Sequence, residues 1–299
     1  MDNIFRGVHT ALITPFTLTG AVDIGAFKRL VEHQIEAGID GLVPCGTTGE
    51  SSTLTHDEHD RVIALTVQYA DGRVPVIAGT GSNSTAEAIQ LSQHAEQSGA
   101  DAVLLVNPYY VKPTQKGLYL HFKAIAESVS IPCIPYNIQS RTAVNLENET
   151  LFKLMNEYEN IVGVKEASGS LEQMKNLIGM RRDNFHLLCG DDNMTVDLIE
   201  AGGNGAVSVA ANLAPGMMRE MVHSALGGDF KKAREIEQKL MPLFKATFIE
   251  TNPIPIKAAM AMKGWCREEY RLPMCRVSSE ENYAVIKEAV ESLMLPAAK

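Results

Sequence analysis

Short apolar, β-branched runs alternate with longer segments of helical period about eight times over residues 1–228. Each run has the length of a strand, and a helix candidate follows it. Near-continuous apolar strands are typical of parallel strands that helices cover, so the pattern predicts an α/β fold. We expect a (β/α)8 TIM barrel, with a doubly wound open sheet as the alternative. The predicted strands are residues 9–16, 41–46, 75–81, 102–109, 132–138, 161–168, 186–192 and 205–212.

The helix starts and the C-terminal part of the chain complete this prediction. Three helix starts match a capping box, in which a Ser or Thr accepts from a backbone N–H and a Glu or Gln reaches back. These pairs are Thr55 with Glu58, Ser84 with Glu87, and Ser170 with Gln173. After Gly228 the strand signal stops, and residues 229–250, 253–265 and 278–295 predict helices, with Pro253 and Pro255 marking a break. The predicted division is a barrel of residues 1–228 and a C-terminal helical region of residues 229–299.

Composition and charge narrow the class of function. The chain has 299 residues, 45% of them apolar, and a formal net charge of −9. Because no basic stripe interrupts this acidic balance, we expect neither nucleic acid nor a membrane surface as a partner. The longest apolar runs are too short to span a bilayer, and the N-terminus lacks a basic segment followed by a hydrophobic one. The sequence therefore predicts a cytoplasmic protein that acts on small molecules.

Three patterns that can indicate a metal, a disulfide or a nucleotide are weak in this chain. The five cysteines form no CxxC pair, so we expect reduced packing residues. His56 and His59 lie three residues apart in "HDEH", which is not the HExxH spacing and has no evident third ligand. "GTGSNS" at 79–84 begins like a dinucleotide fingerprint, but its third glycine position is Ser84, a better helix cap. The sequence predicts no metal and no nucleotide.

Lys165 ends an apolar run, "NIVGVKEASG" at residues 160–169, that predicts a buried strand. A Lys ammonium is costly to desolvate, and at its ordinary pKa of about 10.4 only on the order of one in a thousand is neutral near pH 7. Barrel strands present their C-terminal ends to the reactive face, where burial lowers the pKa of an amine. A neutral amine can attack a ketone to form a Schiff base. The alternative is an ion pair with Glu166, although neighbouring strand residues point to opposite faces.

Two further polar segments follow predicted strands. "CGTTGES" at 45–51 has two glycines for a tight turn, and its N–H groups with the hydroxyls of Thr47 and Thr48 can surround a small carboxylate. "YNIQSRT" at 136–142 offers Tyr136 as an acid or base and Arg141 as a bidentate carboxylate clamp. Either segment by itself is also consistent with an ordinary turn or a solvated surface charge.

The motifs in their order resemble the dihydrodipicolinate synthase family. They are "GTTGES", "NPYY", "YNIQSRT", "VGVKEASG" and "CGDD", with "NPIPIKAAM" and "RLPM" in the helical tail. The family belongs to the Schiff-base, pyruvate-dependent aldolases, which also include N-acetylneuraminate lyase. The resemblance implies a barrel that condenses pyruvate with L-aspartate 4-semialdehyde to give 4-hydroxy-tetrahydrodipicolinate. This reaction is the first committed step toward diaminopimelate and lysine, and the family needs no cofactor for it.

The resemblance also implies roles for individual residues. The Schiff-base lysine and its proton relay correspond to Lys165, Tyr136, Thr48 and Tyr110. The residues that bind the carboxylate of pyruvate correspond to Thr47 and Thr48, and the residue that binds the carboxylate of the semialdehyde corresponds to Arg141. The residues that line the pocket near the lysine correspond to Gly190 and Val207. One departure is Gln139, where the family commonly has Pro. Without the fixed φ of Pro, we expect a looser loop around the clamp.

Association and regulation also follow from the resemblance. In the family, the tyrosine matching Tyr110 enters the site of the neighbouring subunit, so a single chain would have an incomplete site. We therefore expect a homo-oligomer, a tetramer built as a dimer of dimers. Feedback-inhibited members bind lysine at a subunit interface, and the matching residues are Ser52, His56, His59, Asn83, Glu87 and Tyr109.

Two other functions stay open at the level of sequence. A pyruvate-releasing sugar-acid or N-acetylneuraminate lyase would use the same chemistry on a polyol, which needs neutral hydrogen-bond partners. Arg141 and Thr48, the second Thr of "GTT", favour a short aldehyde that has a carboxylate. A non-catalytic barrel that senses a small acid would have no need for Lys, Tyr and Thr together at its mouth.

Overall fold

Eight parallel strands close into a barrel in the computed structural model, which describes residues 4–295 and 297–298. Consecutive strands pair in chain order except β2 and β3, and β1 pairs with β8. The remaining gap is closed between β2 and β3, where Leu42 N–H donates to Pro75 O at 2.9 Å and Gly79 N–H donates to Pro44 O at 2.9 Å. The predicted barrel is confirmed, and the open sheet is wrong. The strands are β1 Gly7–Ala11, β2 Gly41–Val43, β3 Ile77–Gly79, β4 Ala102–Val106, β5 Cys133–Asn137, β6 Gly163–Glu166, β7 His186–Cys189 and β8 Gly205–Ser208.

Helices cover the outside of the barrel and continue as a C-terminal group. In the described part of the chain they are α1 Ile24–Glu36, α2 His56–Ala70, α3 Thr85–Gln97, α4 Gln115–Ala126, α5 Gln139–Thr142, α6 Asn148–Glu157, α7 Leu171–Met180, α8 Thr195–Glu200, α9 Pro215–Leu226, α10 Phe230–Ala246, α11 Ile254–Met262 and α12 Glu280–Ser292. The last three agree with the helices predicted for the tail. α10 packs against α8, α9 and α12. The division at residue 228 stays a prediction. None of these helices is long and apolar enough to cross a membrane.

The strands separate two apolar layers because neighbouring residues of a strand point to opposite faces. The outer layer lies between the strands and the helices and includes Val164 of β6. The inner layer fills the barrel and includes Leu104, Ile134 and Leu188. A polar residue on the inner face of a strand end therefore lies directly above an apolar plug.

The strands are shorter than the apolar runs that predicted them. The run 9–16 predicts a strand to Phe16, but β1 ends at Ala11. Residues beyond the strand end stay buried, since Leu12, Ile13 and Phe16 are each at most 1% exposed. Burial at the barrel mouth continues past the hydrogen-bonded ladder, so an apolar pattern overestimates the length of the strand.

Only one of the three predicted capping boxes is reciprocal. Thr55 accepts from Glu58 N–H, and the Glu58 side chain accepts from Thr55 N–H. Ser84 and Ser170 do accept from the N3 N–H groups. The Glu87 carboxylate instead accepts from a histidine and a serine, and the Gln173 amide contacts the Asn145 side chain. These two side chains therefore hydrogen-bond groups that lie outside the local capping pattern, so the pattern could not predict the contacts.

His9 lies inside the lower part of the barrel and is fully buried. Neither ring nitrogen has a hydrogen-bond partner among the described residues. Burial, opposed by Asp40 and assisted by His186, lowers the pKa of His9 from 6.5 to about 4. The folded state therefore binds fewer protons than the unfolded state between these two values.

We predict that the protein loses stability as the pH falls from about 6.5 to 4, and that His9→Leu reduces this loss. The contribution of neutral His9 to the free energy of unfolding is fully present above pH 6.5. It is lost as the pH falls toward 4, which lowers the free energy of unfolding by up to about 3 kcal/mol. Urea unfolding at several pH values measures it. His94→Gln, at the half-exposed His94–Asp60 pair, is the control. Equal pH profiles for wild type and His9→Leu would contradict the prediction.

Candidate active site

Lys165 points into the barrel from the third position of β6. Its Cα pairs in register with that of Tyr136 on β5, and its Nζ lies 4.0 Å from the centroid of the Tyr136 ring. The side chain is only 6% exposed. Because Val164 and Glu166 point outward, the amine is the polar group that this strand presents to the mouth of the barrel.

Burial changes the protonation of this amine. It lowers the pKa of Lys165 from 10.5 to about 8, and nearby Arg141 acts in the same direction, while Asp191 and Asp192 partly oppose the shift. At a pKa of about 8, roughly one amine in ten is neutral at pH 7. Within the described residues no carboxylate oxygen lies within 4 Å of Lys165 Nζ, so the site favours a nucleophilic amine.

Glu166 is on the other face of β6, as the alternation along a strand predicts. Its carboxylate accepts from Asn137 Nδ2 at 3.1 and 3.2 Å and from Ser168 N–H at 2.7 Å. The Gln173 amide donates to it at 3.3 Å. The alternative of an ion pair between Lys165 and Glu166 is therefore wrong.

Tyr136 is 6% exposed, and burial raises the pKa of its phenol above the ordinary value. Nearby Arg141 and the hydroxyl of Thr47 partly oppose this shift in the pKa. Thr48, predicted as the relay partner, instead accepts from Asn252 Nδ2 at 3.0 Å through its hydroxyl. Thr47, the other threonine of the turn, lines the same two cavities as Tyr136. The relay role of Thr48 stays a prediction.

Arg141 lies on α5, a single helical turn after β5. Its Nη2 donates to the backbone carbonyl of Asn252 at 3.1 Å. Thr142, 1% exposed, holds the turn with hydrogen bonds from its hydroxyl to Ile138 O and Val144 O, both at 3.0 Å. The turn that contains Gln139 is therefore held by the hydroxyl of Thr142.

Gly190 and Val207 occupy different levels of the barrel. A Cβ on Gly190 would lie 3.1 Å from Lys165 Cε and 2.6 Å from Ala167 Cβ, so only glycine leaves room for the lysine. Val207 belongs to the apolar inner layer. The cavity around the lysine is lined by Val209 two residues further on, and Val207 is not among its lining residues.

Two cavities open above the apolar plug. A small one, about 30 Å³, reaches Lys165, and a larger one, about 280 Å³, adjoins it. They share walls that have hydroxyl, phenol, guanidinium and amide groups, from Thr47, Tyr136, Arg141 and Asn252. Residues predicted from the segments after β2 and at the end of β5 thus line one cavity region that is large enough for a small molecule.

Tyr110 is not brought into this space by its own chain. Its side chain is 88% exposed, and its backbone has φ +70°, in the left-handed region. Such a conformation is uncommon for an aromatic residue. The loop after β4 therefore directs the phenol away from the barrel of the same chain.

Some of the residues predicted to bind lysine are joined by hydrogen bonds. His56 Nε2 donates to Glu87 Oε1 at 2.8 Å, and Ser82 also hydrogen-bonds Glu87. His59 is buried and donates from Nε2 to Gly79 O at 2.9 Å, so it faces the core. Of the other predicted members, Ser52 and Tyr109 line the larger cavity, and Asn83 is half-buried. Among the described residues no cluster of three His, Cys, Asp or Glu could hold a metal ion.

Sequence reasoning missed four polar groups of the site. Asp191 and Asp192 follow β7 and act on Lys165, and burial raises the pKa of Asp192 to about 6. Asn252 contacts both Thr48 and Arg141, and Lys257 pairs with Glu50 of the threonine loop. The motifs "CGDD" and "NPIPIKAAM" contain these residues, but only the fold reveals which groups they contact.

This geometry defines a class of protein: a parallel barrel with a desolvated lysine, a buried tyrosine and a turn that contains two threonines at its mouth. The chain belongs to the dihydrodipicolinate synthetase family, whose model matches residues 4–292. A relative from Syntrophus aciditrophicus, named 4-hydroxy-tetrahydrodipicolinate synthase, is 54% identical over 275 residues, which cover 92% of this chain and 94% of that protein.

Solved structures are similar over almost the full length. Dihydrodipicolinate synthase from Aquifex aeolicus has a TM-score of 0.96 at 47% identity and covers 99% of this chain and 100% of its own. The lysine-bound enzyme from Cyanidioschyzon merolae has a TM-score of 0.94 at 40% identity, with coverage of 97% and 98%. The barrel and its helical tail are therefore those of this family.

We predict that Gly190→Ala displaces the Lys165 side chain and lowers the reactivity of its amine at least about tenfold. The added methyl would contact Lys165 Cε and Ala167 Cβ, and packed interiors give way only slightly. Peptide mapping after limited amine modification at pH 8 measures it. The control is Gly179→Ala, since a Cβ there meets nothing within 4 Å. Equal modification of Lys165 in both variants would refute the steric role of Gly190.

Proposed function

We propose that this chain condenses pyruvate with L-aspartate 4-semialdehyde through a Schiff base on Lys165. The product is 4-hydroxy-tetrahydrodipicolinate, at the first committed step toward diaminopimelate and lysine. The observation that supports the proposal most is the desolvated amine of Lys165 beside Tyr136 in a chain of this family. We expect the enzyme to act in the cytoplasm.

The first half of the reaction uses the amine as a nucleophile. Neutral Lys165 attacks the ketone carbon of pyruvate, and the resulting carbinolamine loses water to give a protonated imine. Tyr136 moves the protons that this exchange requires, in a relay with a hydroxyl of the threonine turn. The family resemblance assigns this hydroxyl to Thr48, and the effect of Thr47 on the pKa of the phenol makes Thr47 the second candidate. The hydroxyls of Thr47 and Thr48 hold the carboxylate of pyruvate. The cationic imine then accepts electrons when a methyl proton leaves, so a neutral enamine forms.

The second half uses this enamine as the nucleophile. Its terminal carbon attacks the aldehyde, and the new alkoxide takes a proton. Arg141 holds the carboxylate of the semialdehyde from the rim of the cavity. The amino group of the substrate then adds to the imine carbon, which closes the ring and releases Lys165.

We infer further that the working enzyme is a homo-oligomer, a tetramer built as a dimer of dimers. The exposed phenol of Tyr110 supports this inference because its own chain gives it no contact with the site. In the assembly it would join Tyr136 and a threonine of the neighbouring subunit as the outer part of the relay. In this proposal Gly190 lines the pocket close to the lysine, and Val207 contributes from the apolar inner layer of the barrel.

Lysine is proposed as a feedback inhibitor. The hydrogen-bonded pair of His56 and Glu87, with Ser52 and Tyr109 beside the larger cavity, supports this. A lysine-bound structure among the similar proteins adds support. His59 and Asn83 complete the proposed set.

Millimolar lysine should inhibit turnover, and His56→Ala should remove the inhibition while leaving uninhibited turnover intact. Turnover that lysine leaves unchanged would exclude this role.

The Schiff base is tested by trapping it. Pyruvate with borohydride should add one reduced pyruvyl group to the peptide that contains Lys165, and turnover with aspartate semialdehyde should exceed N-acetylneuraminate cleavage. Lys165→Arg keeps the charge but should abolish trapping, because a guanidinium stays protonated. Mass spectrometry of peptides gives the position. Labelling at another lysine, or none, would contradict the proposal.

We predict that Arg141→Ala raises the KM for aspartate semialdehyde by at least about tenfold and that for pyruvate by less than about threefold. A charge-assisted bidentate contact supplies about that difference. Steady-state kinetics with each substrate varied in turn measures it. Arg181→Ala, whose guanidinium bonds Asn204 and Gly202 O, is the control and should change neither KM. Equal increases for both substrates would exclude a clamp for the second one.

A further inference from the structure

A fully buried ion pair links the C-terminal helical region to the threonine loop, residues 45–51. Lys257 Nζ on α11 lies 2.6 Å from Glu50 Oε1, and the two side chains are 0% and 1% exposed. The ammonium also lies 4.2 Å from the centroid of the Phe16 ring and 5.0 Å from that of Tyr270. Glu50 is thus the carboxylate that compensates a charge otherwise surrounded by rings, and neither partner can move freely.

Glu50 closes the turn that presents the threonines. Its N–H donates to Thr47 O at 3.1 Å, and Gly49 N–H donates to Gly46 O at 3.0 Å. The turn is bounded by Cys45 at φ +55° and Glu50 at φ +54°, both in the left-handed region. Residues other than glycine adopt this region only where the surroundings hold them. The ion pair is such a restraint at the end of the turn.

Asn252, at the start of the same C-terminal segment, contacts the site itself. Its Nδ2 donates to Thr48 Oγ1 at 3.0 Å, and its backbone carbonyl accepts from Arg141 Nη2 at 3.1 Å. A hydroxyl oxygen that already accepts keeps its own hydrogen for donation. The amide therefore sets Thr48 as a donor, which is what a carboxylate needs.

We propose that the Glu50–Lys257 ion pair and Asn252 are positioning residues that set the carboxylate-binding hydroxyls of Thr47 and Thr48. They control the affinity for a keto acid through the geometry of the turn, and Lys257 does so without touching the substrate. This inference rests on the proposed function, which assigns the keto-acid carboxylate to the two threonines. The C-terminal helical region thus holds the binding turn from outside the barrel.

The test measures pyruvate affinity separately from stability. Lys257→Met and Asn252→Ala should each raise the pyruvate concentration for half-maximal borohydride trapping on Lys165 by about tenfold, a loss typical of a hydrogen bond to a charged group. The double variant Glu50→Gln with Lys257→Met leaves no single buried charge, so it should recover thermal stability. It should still bind pyruvate weakly, because the restraint on the turn is gone.

Glu237→Gln is the matched control. It removes the charge of another nearly buried carboxylate, paired with Arg234 at 3.1 Å in the same helical region. It should lower the Tm without changing the half-saturating pyruvate concentration. Pyruvate affinity that falls with Tm in all variants, this control included, would overturn the inference, as would variants that stay within twofold of wild type.

The two proposals fail in different ways. If wild type traps no pyruvate, the proposed function is wrong. If wild type traps pyruvate normally and the variants do too, only the positioning role is wrong. Should Lys257→Met not fold, the double variant and Asn252→Ala decide the question by the same criterion.

Discussion

The desolvation of one amine is the constraint on which the rest of the structure depends. Lys165 would be an inert ammonium on a solvated surface, and at the barrel mouth its pKa falls to about 8. Two aspartates after β7 moderate this shift. Burial thus favours the neutral amine, and the two acidic groups favour the protonated amine. That balance suits an amine that must be neutral to attack and protonated as an imine.

The closed barrel makes this burial possible because side chains along each strand alternate between its inner and outer faces. On β6 the inner face presents Lys165, and the outer face presents Glu166 to a network of amides and a backbone N–H. The register between β5 and β6 puts Tyr136 beside Lys165 and Asn137 beside Glu166. The outer network therefore fixes the same two strand ends that present Lys165 and Tyr136 to the barrel mouth.

The sequence predicted the order of elements and the position of Lys165 because both depend on local periodicity. It did not predict that the Thr48 hydroxyl accepts from Asn252, which is far away in the sequence. It also did not predict the shape of the turn, in which the non-glycine residues Cys45 and Glu50 take positive φ. Likewise, no local pattern relates Lys257 to Glu50, since the two are 207 positions apart and meet only when the barrel and its helical tail are assembled. The family resemblance supplied the remaining roles, and the role proposed for Tyr110 involves a second chain.

The pH dependence of imine formation tests the central claim most directly. Single-turnover formation of the imine from pyruvate should increase with pH and reach half of its maximal rate near pH 8, the value to which burial lowers the pKa of Lys165. An inflection near 10.5, the ordinary value for a lysine, would mean that the amine is solvated. That result would contradict the account, even if the product were formed.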